Sequence, residues 1–272
     1  MSFSWSVAAT VFLLGSAVGS FLNVLVYRTF RGEGWVKGRS RCEACRRSIA
    51  WYENVPIFSY LCLKGRCSHC RALISPIHPT IELLTGTLFL WWYVEGLPHF
   101  STSAWLMPII QPLFWLVVGV ISVVIIIAEL QKSIIPRWSV LLLTGLTLLY
   151  RLILVLTGEM QVVDLWWSLI WSLILVLFFF FLWWITRGKG FGAGDVQLAF
   201  PLGLLLGNWQ RIVVGIWLAF FIGALIGVGL ILIKKKRFGQ TIPFGPFLLL
   251  GTALGLRWGY QLWASYVKLI SG

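Results

Sequence analysis

The chain has 272 residues, of which 59% are hydrophobic and only 11% charged, with a mean hydropathy of +0.88. Soluble domains carry charge at roughly a quarter of their positions, so this composition excludes an ordinary soluble globular protein and makes lipid the solvent for much of the surface. The net charge of +13 would suit a nucleic-acid binder, but all the basic residues except Arg151, Arg211, Arg257 and Lys268 sit in loops on one side of the apolar stretches. The preference of Lys and Arg for the cytoplasmic side accounts for that placement, and no nucleic-acid partner is inferred.

Apolar stretches of the length needed to cross about 30 Å of hydrocarbon recur along the chain. They predict an all-α polytopic membrane protein with about eight transmembrane helices, and the bilayer as its first partner. The spans run Trp5 to Tyr27, Thr80 to Gly96, Met107 to Leu130, Trp138 to Leu156, Leu165 to Thr186, Val196 to Gly207, Ile212 to Ile233 and Pro243 to Tyr266. The first lacks a basic leader and a small-residue cleavage site, so it is expected to be a retained helix rather than a signal peptide. The sixth is short and holds Gly203 and Gly207, which suggests a helix packed inside the bundle or one extended through the loop before it. Tryptophans near span ends, such as Trp91, Trp92, Trp166, Trp167, Trp183 and Trp184, read as headgroup anchors.

Ten of the 22 basic residues lie between Arg28 and Arg71, and others cluster as Lys132 with Arg137, Arg187 with Lys189, and Lys234 to Arg237. Eight spans starting from an outside N-terminus put all of these on the cytoplasmic side and leave both termini outside. The expected organisation is a first transmembrane helix over 1–27, a cytoplasmic loop over 28–79, and a seven-helix membrane core over 80–272.

That loop holds all five cysteines. Cys42-x-x-Cys45 and Cys67-x-x-Cys70, separated by 21 residues, have the spacing of a zinc-ribbon-like site, in which four thiolates surround a structural Zn2+. Free thiols and disulfides are the alternatives, and a reducing cytoplasm disfavours the second. Four thiolates close the coordination shell, so this metal has no open position for catalysis. His69 then reads as a surface histidine, and Cys62 is unpaired.

Further along, ionisable residues at span ends become candidates for chemistry, because burying them in a membrane is costly. Only Asp164 and Asp195 are aspartates; Asp164 lies in a predicted outside loop. Asp195 ends Gly190-Phe191-Gly192-Ala193-Gly194-Asp195 and leads directly into an apolar helix. Glu129 closes Ile125-Ile126-Ile127-Ala128 at the cytoplasmic end of the third span, ahead of Ile134-Ile135-Pro136. On these residues alone Asp195 reads as a helix cap sooner than as a catalytic group, and Glu129 can be read as a side chain reaching headgroup water beside Lys132. Placed together in a low-dielectric site, two such carboxyls cannot both ionise, which is the arrangement of an aspartic peptidase.

The chain resembles the prepilin peptidases, bacterial inner-membrane enzymes, over almost its full length. The resemblance is carried by Gly19-Ser20-Phe21-Leu22-Asn23-Val24 with Arg28, the four paired cysteines, Trp51-Tyr52-Glu53-Asn54-Val55-Pro56, Lys64-Gly65-Arg66-Cys67 and Ile74-Ser75-Pro76. It continues through Glu82-Leu83-Leu84-Thr85-Gly86, the GxGD run with Val196-Gln197-Leu198, and Pro243-Phe244-Gly245-Pro246. It implies cleavage of type IV prepilins or pseudopilins after the glycine that ends a short basic leader, by two cytoplasmic-side aspartates. Asp195 matches the second. The first stands seven residues before a proline, and seven residues before Pro136 is Glu129, so the catalytic pair implied here is Glu129 with Asp195. Glutamate moves the carboxyl about 1.5 Å further from the backbone, which leaves a catalytically impaired homologue, acting as a pilin-binding assembly factor, as the alternative. The resemblance also implies N-methylation of the new terminus with S-adenosylmethionine. Asn23 and Glu82 match polar family positions and read equally as a helix cap and as an i, i+4 partner of His78.

Overall fold

The computed structural model describes residues 4–34, 38–97, 107–234 and 242–271. Lys235, Lys236 and Arg237 of the last basic cluster lie outside the described residues. Every described element is helical, apart from two isolated bridges in the cysteine loop. The eight predicted spans each coincide with a helix, and five of those are long and apolar enough to cross a membrane by length and composition. The chain is a multi-pass membrane protein.

The chain divides into two compact units, residues 1–127 and 128–272. In the first, α1 (Trp5–Thr29) packs along α3 (Ile77–Trp91), which continues through a π-helical turn, Trp92–Gly96. Their approach is close: a Cβ on Gly19 would sit 2.7 Å from Thr85 Oγ1. Lipid gives helices no hydrophobic reason to associate, so small residues that bring backbones together supply dispersion contact instead. Between them lies the loop, with a 3-10 turn (Trp51–Asn54) and the short helix α2 (Phe58–Cys62). The long helix α4 (Met107–Lys132) begins in this unit and ends in the second.

The second unit contains α5 (Arg137–Leu156), α6 (Val162–Ile185), α7 (Ala193–Leu206), α8 (Trp209–Leu232) and α9 (Gly245–Ser271). Pro136 starts α5, because its fixed φ suits a helix entry and its missing N–H costs nothing there. Gly207, at φ +79°, ends α7 in the left-handed region. The short sixth span is α7, and it is a helix packed inside the bundle: it touches α5, α6, α8 and α9, and Leu198, Ala199, Leu202, Leu204 and Leu206 are buried. It therefore needs no lipid-facing length of its own. Helices α8 and α9 meet through glycines, where a Cβ on Gly255 would lie 2.9 Å from Gly215 Cα.

Candidate active site and metal centre

Glu129 sits on the last turn of α4, after Ile125, Ile127 and Ala128, all fully buried. The Ser133 N–H closes that turn on the Glu129 carbonyl, with Ser133 at φ +53°, and the chain turns through Ile134 and Ile135 to Pro136. The Glu129 side chain is 6% exposed. Its Oε1 accepts the Gly245 N–H at 3.1 Å, across 116 residues of sequence. Gly245 opens α9, so this carboxyl satisfies one of the N–H groups that a helix start leaves without an internal partner.

Asp195 lies in the first turn of α7 and is 5% exposed. Its Oδ2 accepts the Gly192 N–H at 2.9 Å, the reciprocal bond of a capping box. Both carboxyls are thus built alike: a glycine N–H at a helix start fixes one oxygen. The second oxygens, Glu129 Oε2 and Asp195 Oδ1, are buried without a hydrogen-bond partner among the described residues. The two groups are close enough to act on one another by charge. Ile135 is wedged between their supports: a Cβ on Gly194 would meet Ile135 Cβ at 3.1 Å, and one on Gly245 would meet Ile135 Cδ1 at 3.4 Å.

Four phenylalanine rings lock the loops that carry these glycines. Phe191, from the glycine run before Asp195, meets Phe244, the residue before Gly245, with centroids 5.2 Å apart and planes at 89°. Both also contact Phe179 of α6 and Phe220 of α8. The edge-to-face geometry matches the ring quadrupoles. Sequence reasoning placed Glu129 and Asp195 but gave no role to Gly245, Ile135 or the phenylalanines. The Pro243-Phe244-Gly245-Pro246 run was the available signal, since proline and glycine in an apolar chain mark a helix start.

In the first unit, the Sγ atoms of Cys42, Cys45, Cys67 and Cys70 all lie within 4.8 Å of one another, and Cys42 and Cys70 are 3.8 Å apart. Two turns of the same construction present them. The Cys42 N–H donates to the Arg47 carbonyl and the Cys67 N–H to the Ala72 carbonyl, each at 2.9 Å. Arg46 and Arg71 take φ +60° and +59°, and the bridges Arg41 to Ser48 and Arg66 to Leu73 close the two turns. Backbone N–H groups of Cys70 and then His69 aim at Cys67 and hold its thiol down to about 6. At Cys70 the Ala72 N–H favours the thiolate, but loss of water and the neighbouring thiols outweigh it and push that thiol up to about 11. With all four Sγ atoms gathered in this way, the cluster could hold a metal ion. His69 is paired with Arg47 at 2.8 Å, as a surface histidine, and Cys62 is exposed at the end of α2.

One expected pairing is corrected. Glu82 is not the partner of His78: its Oε2 accepts the Ile57 N–H at 2.8 Å, while His78 bonds Asn23. Ile57 stands at φ +64°, ahead of α2. That strained turn presents its N–H to the Glu82 carboxylate, a longer-range contact that outcompetes the neighbour one helical turn away.

Residues 13–95 match the bacterial peptidase A24 N-terminal domain, and residues 116–228 match the type IV leader peptidase family. The chain is 31% identical to a prepilin leader peptidase/N-methyltransferase of Aeromonas hydrophila, over 97% of this chain and 94% of the relative. It is also 31% identical to proteins of that name from Stutzerimonas stutzeri and Pseudomonas aeruginosa, in each case over 94% of this chain and 92% of the relative. No solved structure matches it. Matches that run nearly end to end, and take in both the cysteine loop and the two carboxyl-bearing helices, establish that the chain belongs to the type IV leader peptidase family.

Proposed function

We propose that this protein cleaves the leaders of type IV prepilins or pseudopilins on the cytoplasmic side of the bacterial inner membrane, with Glu129 and Asp195 as its catalytic pair. The observation that carries the reading is the matched state of the two carboxyls, each with one oxygen held by a glycine N–H and one buried oxygen without a partner. Such oxygens are free to take a water and a peptide carbonyl. One carboxyl keeps its proton and polarises the carbonyl, while the other removes a proton from the attacking water. The proton held by the first group then serves the leaving amine. Burial excludes bulk water and strengthens each of these contacts.

In this reading the substrate's apolar helix lies in the bilayer, and its leader junction reaches the pair at the cytoplasmic helix ends. Orientation rests on the basic loops, which place both termini outside and the cysteine loop inside. Zinc is the metal proposed for the four cysteines. A regular tetrahedron with Zn–S bonds near 2.3 Å has sulfur edges of about 3.8 Å, the separation of Cys42 and Cys70. The closed thiolate shell gives it a structural role, fastening a loop too small to hold its own core.

The relatives are also named for N-methyltransferase activity, and that activity would take its methyl group from S-adenosylmethionine. The described residues include no βα unit of the kind that cradles such cofactors. The alternative of an inactive assembly factor rests on the longer Glu129 side chain alone and is not favoured, since both carboxyls keep a built environment. Incubating the purified protein in lipid with a prepilin tests the proposal: leader loss is expected, and an uncut prepilin under conditions where a related peptidase cuts it would overturn the reading.

A further inference from the structure

At the end of the second unit remote from the dyad, two arginines face a problem that the peptidase reading leaves unused. Arg151 lies fourteen residues along α5 from Arg137, and Tyr260 fifteen along α9 from Gly245, each about 21–23 Å at the helical rise. Gly207 ends α7 twelve residues after Asp195, about 18 Å on. These residues form one layer near the opposite membrane face. There Arg151 Nε donates to the Leu204 carbonyl at 2.7 Å and Nη1 to Met160 Sδ at 3.5 Å, while the other terminal nitrogen packs against Gly207. Arg211 begins α8: its N–H is capped by Asn208 Oδ1 at 3.1 Å, and its guanidinium lies 4.4 Å from the centre of the Tyr260 ring. The Asn208 amide in turn donates to the Tyr260 hydroxyl.

Arg151 acts as a C-cap for α7 through Nε and reaches Met160 Sδ through Nη1, which occupies two of its five donors. That role does not explain a second arginine beside it. Arg211 Nε is buried with no hydrogen-bond partner among the described residues, and the two arginines meet at the junction of α7 and α8, one packed on Gly207 and the other capped by Asn208. Among the described residues neither meets a carboxylate within ion-pair distance, and the ion pair that those residues contain is Arg31 with Glu33. Asp164 acts on Arg151 only at longer range and spends Oδ2 on the Gln161 N–H. Two like charges partly removed from water, without a counter-ion, are costly in a low dielectric. An oxyanion that accepts from both forks removes that cost, and phosphate matches guanidinium geometry. Trp209, Trp263 and Tyr266 meet in the same layer, edge-to-face and tilted, with centroids 4.8 and 5.7 Å apart, and aromatic residues collect at headgroup depth.

We propose that Arg151 and Arg211 form a phosphate-group site occupied by the headgroup of an anionic phospholipid. The inference is independent of the peptidase reading and is tested without a prepilin. The full chain in non-ionic detergent is melted, by tryptophan fluorescence, with phosphatidylglycerol, phosphatidylcholine or inorganic phosphate at matched ionic strength. Phosphatidylglycerol is expected to raise Tm by roughly 5 °C, the shift of a saturating ligand on a protein of this size, and phosphatidylcholine by much less. Arg211→Gln should lose most of the shift and Arg211→Lys should keep part of it. A shift with inorganic phosphate but not with phosphatidylglycerol would overturn the lipid as occupant and keep the oxyanion site. Equal shifts with the two lipids in the unaltered protein, or a full shift in Arg211→Gln, would overturn the site itself.

Discussion

Glu129 reaches the Gly245 amide with a side chain one carbon longer than the aspartate implied at its position, and the fold has a donor waiting there. In the proposed mechanism both carboxyls act through an oxygen that has no hydrogen-bond partner among the described residues, so replacing either by an amide should remove the proton transfer and keep the shape. Asp195→Asn and Glu129→Gln are each expected to slow prepilin cleavage by at least about 10²-fold, within the usual range for general acid–base groups. Glu129→Asp keeps a carboxyl and should retain cleavage, so an Asp variant as dead as the Gln variant would show that the Gly245 contact, and not the acid alone, is essential. Gly245→Ala places a methyl group on the Glu129 carboxyl. Displacing that group by about 1 Å should cost on the order of 10²-fold in rate, and wild-type cleavage by this variant would detach Gly245 from the site.

At the scale of elements, two features hold distant segments in register. The phenylalanine cluster ties the turn before α7 to the turn before α9, with Phe179 fully buried at its centre. Phe244→Ala should destabilise the protein by about 2 kcal/mol, less than a large-to-small change in a fully packed core because Phe244 is only partly buried, and should lower cleavage further than the loss of folded protein explains. Phe244→Leu should recover most of both; a Phe244→Ala protein with unchanged melting and cleavage would show that the rings merely fill space. The paired cysteine turns are the second feature. Elemental analysis should find about one zinc per chain, lost when Cys42, Cys45, Cys67 and Cys70 become serine, and metal retained in that variant would rule out the site.

For the whole molecule, the basic loops and the helix count make one demand, that the cysteine loop faces the cytoplasm. Cys62 is exposed and stands outside the metal cluster, so it is the natural probe. An impermeant thiol reagent should leave it unmodified in intact cells and modify it in inverted membrane vesicles; labelling in intact cells would reverse the topology.

Helix positions and the clustering of four cysteines were legible in the sequence. Bilayer thickness sets the length of an apolar run, and the observed helices begin and end within about five residues of the predicted spans, within the usual error of such boundaries. Thiol pairs two residues apart form a turn whatever surrounds them, which is why Cys42 with Cys45 and Cys67 with Cys70 stood out. Glu129 and Asp195 stood out because acids at the ends of apolar helices are rare and expensive. Hidden from the sequence were the partners: Gly245 under Glu129, Ile57 under Glu82, and Phe191 against Phe244. In water an amphipathic stripe announces which face of a helix is buried, but lipid is as apolar as a protein core, so helices such as α6 and α8 are apolar all round and their inward faces carry no such mark. Which backbone amide meets which carboxyl then depends on how small residues let the helices approach, and that is a property of the packed bundle alone.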